Sequence, residues 1–108
     1  MNAAGEFVVV YVTAPSTTVA DSISEAVVTS KLAACVNQVP GVTSVYAWKG
    51  EIERDTEVLM MIKTRRALLK QLEKEVRRLH TYETMEFVVV GVEGGAEDYL
   101  EWIRESTK

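Results

Sequence analysis

Two strand-like stretches, Val42 to Trp48 and Glu51 to Ile62, are separated only by Lys49-Gly50. A two-residue connection with a glycine available for positive φ turns the chain straight back, so these stretches form one long β-hairpin. Whatever else the chain does, it must build around that antiparallel pair. Before it, Phe7 to Thr13 is β-branched and aromatic throughout and ends at Ala14-Pro15-Ser16, which predicts a strand buried on both faces. Ser16 or Thr18 can then cap a helix whose stripe holds Val19, Ile23, Ala26, Val27 and Ala34. Cys35 to Val39 resumes strand character up to Pro40-Gly41.

After the hairpin, Leu68, Leu69, Leu72, Val76 and Leu79 recur with the strongest helical spacing in the chain. Glu86 to Val92 reads as another strand, and Tyr99, Leu100, Trp102 and Ile103 as a short C-terminal helix. The order β-α-β-β-α-β-α gives an α+β fold: a ferredoxin-like β-α-β-β-α-β sandwich, with a long hairpin between its second and third strands and a short C-terminal helix. With 108 residues there is room for one domain, residues 1–108, its core running from about residue 7 to 104.

This fold hosts many functions, so side chains decide among them. RNA-binding members stack bases on aromatics of the third strand, where this chain has Glu51, Glu53, Asp55 and Glu57. With a net charge of −4, the chain repels phosphate, which argues against nucleic acid and anionic membrane as partners. Thr13-Ala14-Pro15-Ser16 lacks both the thiols of soft-metal carriers and the arginine that acyl-phosphate hydrolysis needs. The only cysteine, Cys35, reads as a small structural residue at a helix-to-strand junction, and the only histidine, His80, as the end of the second helix. No catalytic constellation emerges, so no enzymatic activity is expected. A lone thiol suits a reducing compartment. Met1–Glu6 lacks the marks of a secretion signal, so the expected location is the cytoplasm, or an organelle if a leader has been removed.

Two charge patterns are left. Glu51, Glu53, Asp55 and Glu57 alternate, so in an extended strand they share a face that either stays solvated or loosely attracts divalent cations. Arg65, Arg66, Lys70, Lys74, Arg77 and Arg78 read as the solvated side of the second helix, with Glu73 placed to pair with Arg77.

Val12-Thr13-Ala14-Pro15, Lys31 to Asn37, Pro40 to Gly50, Glu57 to Thr64 and Tyr99 to Ile103 together resemble the CutA family of divalent-ion tolerance proteins. The resemblance runs from about Val8 to Ile103. It implies a tight homotrimer, a role in tolerance of copper and other divalent cations, no established reaction, and an architecture like that of the PII signalling proteins. It also implies copper ligands at three positions, occupied here by Val12, Leu79 and His80, of which only His80 can ligate. Three family prolines are replaced by Thr81, Met85 and Gly91, which leaves the local backbone less predetermined. One histidine with carboxylate neighbours would take Cu(II) or Zn(II) weakly, and the binding would fade as acid protonates the imidazole. A PII-like small-molecule sensor and a trimeric protein-interaction scaffold stand as alternatives. In the trimer, Tyr46 and Trp48 are expected to lie against another subunit rather than within their own, with Trp102 anchoring the last helix.

Overall fold

Val8, Val10, Val12 and Ala14 alternate along the first strand, and together they form the floor of the main core. The computed structural model describes residues 5–108. Its elements are β1 (Phe7–Ala14), α1 (Thr17–Thr29), β2 (Cys35–Trp48), β3 (Glu51–Arg65), α2 (Leu69–Leu79), β4 (Phe87–Gly91) and α3 (Glu97–Ser106), with a single 3-10 turn at Arg66–Leu68. The sheet is antiparallel in the order β2-β3-β1-β4. Ile23 and Val27 of α1 and Leu72 and Val76 of α2 close over Val10, Val12, Met60 and Ile62 on one face. This is the expected ferredoxin-like sandwich.

Helices α1 and α2 cover that face, while α3 covers the other only around Phe7, which corrects the reading of β1 as buried on both sides throughout. Tyr11 points the other way and stays 36% exposed, and Val88 and Val90 of β4, beside it on the same face, are exposed too. Ser16 caps α1 by accepting the Val19 N–H at 3.2 Å. The helix ends earlier than its apolar stripe suggests. Lys31 takes φ 62°, Leu32 N–H donates to Val27 O at 2.9 Å and Lys31 N–H to Val28 O at 3.1 Å. That is a Schellman closure with lysine where glycine is usual. Ala34 therefore leaves the α1 stripe and packs with Phe7, Leu100 and Ile103 in a second cluster.

The same second cluster corrects the expectation for α3. Leu100 and Ile103 pin that helix, while Trp102 stays 43% exposed and rests on Tyr99 with ring centroids 5.5 Å apart. Helical periodicity separates 100 and 103 from 99 and 102, so the larger aromatic falls on the wet side. Arg65 and Arg66 are likewise not part of a solvated helix face. Arg65 Nε donates to Thr107 Oγ1 at 2.8 Å and Arg66 Nε to Gly5 O at 2.9 Å, tying both ends of the chain to the sheet. Arg77 does pair with Glu73, at 3.0 Å.

Candidate functional site: an acidic, aromatic groove beside the hairpin

β1 pairs with β3 only from Val58 to Arg65, so beyond Glu57 the hairpin continues as a two-stranded ribbon. Lys49 (φ 50°) and Gly50 (φ 80°) both take left-handed backbone at its tip, the geometry of a type I′ turn. That turn sets the register, with Trp48 opposite Glu51, Tyr46 opposite Glu53 and Ser44 opposite Asp55. Lower down, Pro40-Gly41 inserts a bulge between Val39 and Val42, with Gly41 at φ 73°. One extra residue reverses which face each β2 side chain takes. The turn register thus puts Tyr46 and Trp48 on the face of the carboxylates, and the bulge reconciles it with the register of Cys35–Val39 below.

The loop after α2 supplies the other wall. Between it and the ribbon lies an open groove of about 720 Å³. Tyr46, Trp48 and Tyr82 give it aromatic surface, and Glu53, Asp55, Glu57, Glu83 and Glu86 give it negative charge. The Tyr46 hydroxyl donates to Asp55 Oδ2 and the Tyr82 hydroxyl to Glu57 Oε2, the latter at 2.9 Å. The hydrogen bond to Asp55 pushes the Tyr46 phenol up to about 12. Burial first, and then Glu57, push Tyr82 up to about 12 as well. Both phenols therefore remain neutral donors at physiological pH.

His80 sits at the C-cap of α2, next to this groove. Its Nε2 donates to Thr13 O at 2.7 Å, and its Nδ1 accepts the Tyr82 N–H at 3.1 Å. A carbonyl only accepts and an amide N–H only donates, so the ring is a neutral imidazole with its proton on Nε2. Both nitrogens are committed within the chain, and the ring packs against Tyr82 at 4.8 Å. Leu79 packs against the main core and Val12 lies within it. Cys35 is half-buried rather than part of the core, opposite Lys63 at the far end of β2. It neighbours Tyr99, whose phenol is raised by burial first and then by the Cys35 sulfur. Among the described residues, no group of three or more His, Cys, Asp or Glu side chains converges as a metal cage would require.

Tyr46 and Trp48 are not buried within the chain: Trp48 is 60% exposed. The partnership of these aromatics with the acidic strand was missed in the sequence, although counting outward from the two-residue turn pairs Trp48 with Glu51. Nothing in the sequence pattern pointed to Tyr82 as the opposite wall.

The sequence model of the CutA1 divalent ion tolerance protein family matches residues 8–106. This chain belongs to that family. It is 50% identical to the human protein CutA over 98 residues and 44% identical to the Arabidopsis thaliana chloroplastic protein CutA over 101 residues. These matches cover 91% and 94% of the chain but only 55% and 56% of those relatives, so the chain spans just over half their length. The divalent-cation tolerance protein CutA of Thermus thermophilus is 44% identical, with 92% of this chain and 96% of that protein covered. Among solved structures, CutA1 of Thermus thermophilus superposes with a TM-score of 0.92 at 43% identity, covering 94% of this chain and 99% of that one. CutA of Synechococcus elongatus superposes at 0.94 with 29% identity, covering 100% of this chain and 95% of that one. The CutA fold is therefore present from the first strand to the last helix.

Proposed function

We propose that this chain works as a non-enzymatic homotrimer in divalent-cation tolerance, with copper among the cations concerned and metal binding that is weak. Family membership supports the cation role. The observation that carries the assembly is the projecting ribbon, which leaves Val45, Trp48 and Ile52 in solvent although two-stranded ribbons are marginal alone in water. Symmetric copies that pair and cover it would remove that exposure.

Weak binding follows from the state of His80. A Cu(II) or Zn(II) ion at that ring must displace the Thr13 or Tyr82 hydrogen bond, with only dispersed carboxylates such as Glu83 to help. Absence of catalysis is supported by the separation of Cys35, at the start of β2, from His80, at the C-cap of α2. Among the described residues no helix is long and apolar enough to cross a membrane. The location we propose is the cytoplasm, or an organelle as for the plant relatives named chloroplastic, and the net charge of −4 speaks against nucleic acid and anionic membrane as partners. The groove favours a small-molecule sensor as the second reading, whereas the two-residue Lys49-Gly50 turn leaves no long loop of the PII kind.

Calorimetric titration of the intact protein with Cu(II), Zn(II) and Cu(I), repeated on His80→Ala, tests the metal reading. Expected is weak Cu(II) or Zn(II) binding, in a fixed ratio to the trimer, that is lost in His80→Ala. Failure of every metal to bind would contradict it. So would tight Cu(I) binding that survives the substitution, which would shift attention to Cys35 or to Met60, Met61 and Met85.

A further inference from the structure

We propose that α3 is a hinged cover that lifts off as a unit while the sandwich stays folded, and so controls access to the thiol of Cys35.

A ten-residue helix has little stability of its own in water, so α3 stays in place only through what it packs against. Its buried side chains are Leu100 and Ile103. They meet Phe7 and Ala34 in the small second cluster, and none of these four belongs to the main core that α1 and α2 close. α3 can therefore leave without opening a cavity in that core. Segments held by few buried apolar side chains are the ones that open locally, below the free energy of global unfolding.

The two ends of the helix differ. At its start, Ala96 gives no side-chain cap, and the preceding Gly94-Gly95 places small residues where the chain would pivot. At its end the fastenings are polar. Arg104 donates to both carboxylate oxygens of Glu6, at 2.8 and 2.9 Å, and its guanidinium lies over the Phe7 ring, 5.3 Å from the centroid. Arg65 Nε donates to Thr107 Oγ1 at 2.8 Å, and Lys108 N–H to Lys31 O at 3.0 Å. The Glu6–Arg104 pair is exposed, and exposed pairs are individually weak, which suits a fastening that is made and released.

What lies beneath gives the opening a consequence. Cys35 directly follows Ala34 of the second cluster, and the Tyr99 phenol of α3 is hydrogen-bonded to its sulfur. Lifting α3 removes that donor and bares the half-buried thiol, together with the ring of Phe7, which the closed helix leaves 1% exposed. A thiol reacts only as far as its sulfur can be reached. Opening needs neither the proposed assembly nor a bound cation, so it can fail while both of those stand, and they can fail while it stands.

Hydrogen exchange and thiol labelling of the intact protein, each repeated at rising urea below the global transition, test the cover. Amides of α3 are expected to exchange at least about tenfold faster than those of β1. They should also depend little on urea, since opening one helix exposes little surface. Iodoacetamide reports on Cys35, the only thiol: the sulfur displaces iodide to form a thioether, and its proton passes to the buffer. Labelling should be slower than for a free thiol and equally insensitive to urea. It should be faster by roughly thirtyfold in Ile103→Ala and by about threefold in Glu6→Gln. If Ile103→Ala fails to fold, the urea series on the unsubstituted protein and on Glu6→Gln decides. Exchange and labelling that follow the urea dependence of β1 would mean that α3 leaves only on global unfolding, and would overturn the proposal. So would labelling at the free-thiol rate, or a folded Ile103→Ala protein that labels no faster than the unsubstituted one.

Discussion

From Cys35 to Val39, β2 lies beside a stretch of β3 that β1 pairs on its other side and two helices cover; from Val42 to Trp48 the same strand has only β3 for company. Ile62 of the lower half is fully buried, whereas Ile52 of the upper half is 69% exposed. Both halves are equally regular as strands, so hydrogen bonding does not distinguish them. What differs is apolar burial, and burial supplies most of the favourable free energy of folding. The lower half is completed by its own chain. In the proposed assembly the upper half is completed by others.

The largest expected effect is in the lower half. Ile62→Ala empties space in the main core and should lower unfolding stability by roughly 2–5 kcal/mol, measured in urea. A cost below about 1 kcal/mol would mean that this half is not the tightly packed one. In the upper half, Trp48→Ala should act on association instead, weakening the trimer by about 2 kcal/mol as buried interface aromatics do. Sedimentation velocity on dilution reads this as dissociation where the unsubstituted protein stays assembled. An unchanged assembly and an unchanged Tm would remove the difference between the halves.

Where the halves meet, Tyr82 gives a smaller, pH-dependent effect. Its phenol is raised from an ordinary value near 10 to about 12. A raised phenol contributes its full stability below pH 10, and that contribution is lost as pH climbs toward 12 and the unfolded chain ionises first. Between those values the unsubstituted protein should lose more stability than Tyr82→Phe, as followed by denaturant midpoints at each pH. Parallel losses would contradict the Tyr82–Glu57 hydrogen bond.

The smallest effects compare two lysines held at positive φ, Lys31 closing α1 and Lys49 in the hairpin turn. Lys31→Gly should raise stability by about 0.5–1 kcal/mol, as left-handed strain is relieved against the entropy glycine adds to the unfolded chain. Lys49→Asn, in a turn that prefers Asn-Gly, should add a few tenths of a kcal/mol. Differential scanning calorimetry resolves both, and a drop in Tm at either site would refute the reading of strain there.

The hairpin was legible because Lys49-Gly50 admits little else, and α2 because its leucines keep one helical period. The end of α1 was not, since the Schellman closure uses Lys31 in place of the glycine that would have signalled it. The open face of β1 was hidden for a different reason: a run of valines looks alike whether one side or both are covered, and only the placement of helices decides. Half of the groove could be read from the turn register, which sets Tyr46 and Trp48 against the acids. The other half came from the loop after α2, where no periodic pattern predicts that Tyr82 reaches Glu57. His80 was found as a residue, but the two hydrogen bonds that commit its ring nitrogens, to Thr13 O of β1 and from the Tyr82 N–H, exist only in the folded chain.

The account depends most on the projecting ribbon being completed by symmetric copies, and native mass by sedimentation equilibrium tests this most directly. The expected result is a single species at three times the chain's 12.0 kDa, persisting on dilution. A single-chain mass, in a protein that still melts cooperatively with Trp48 in solvent, would contradict it.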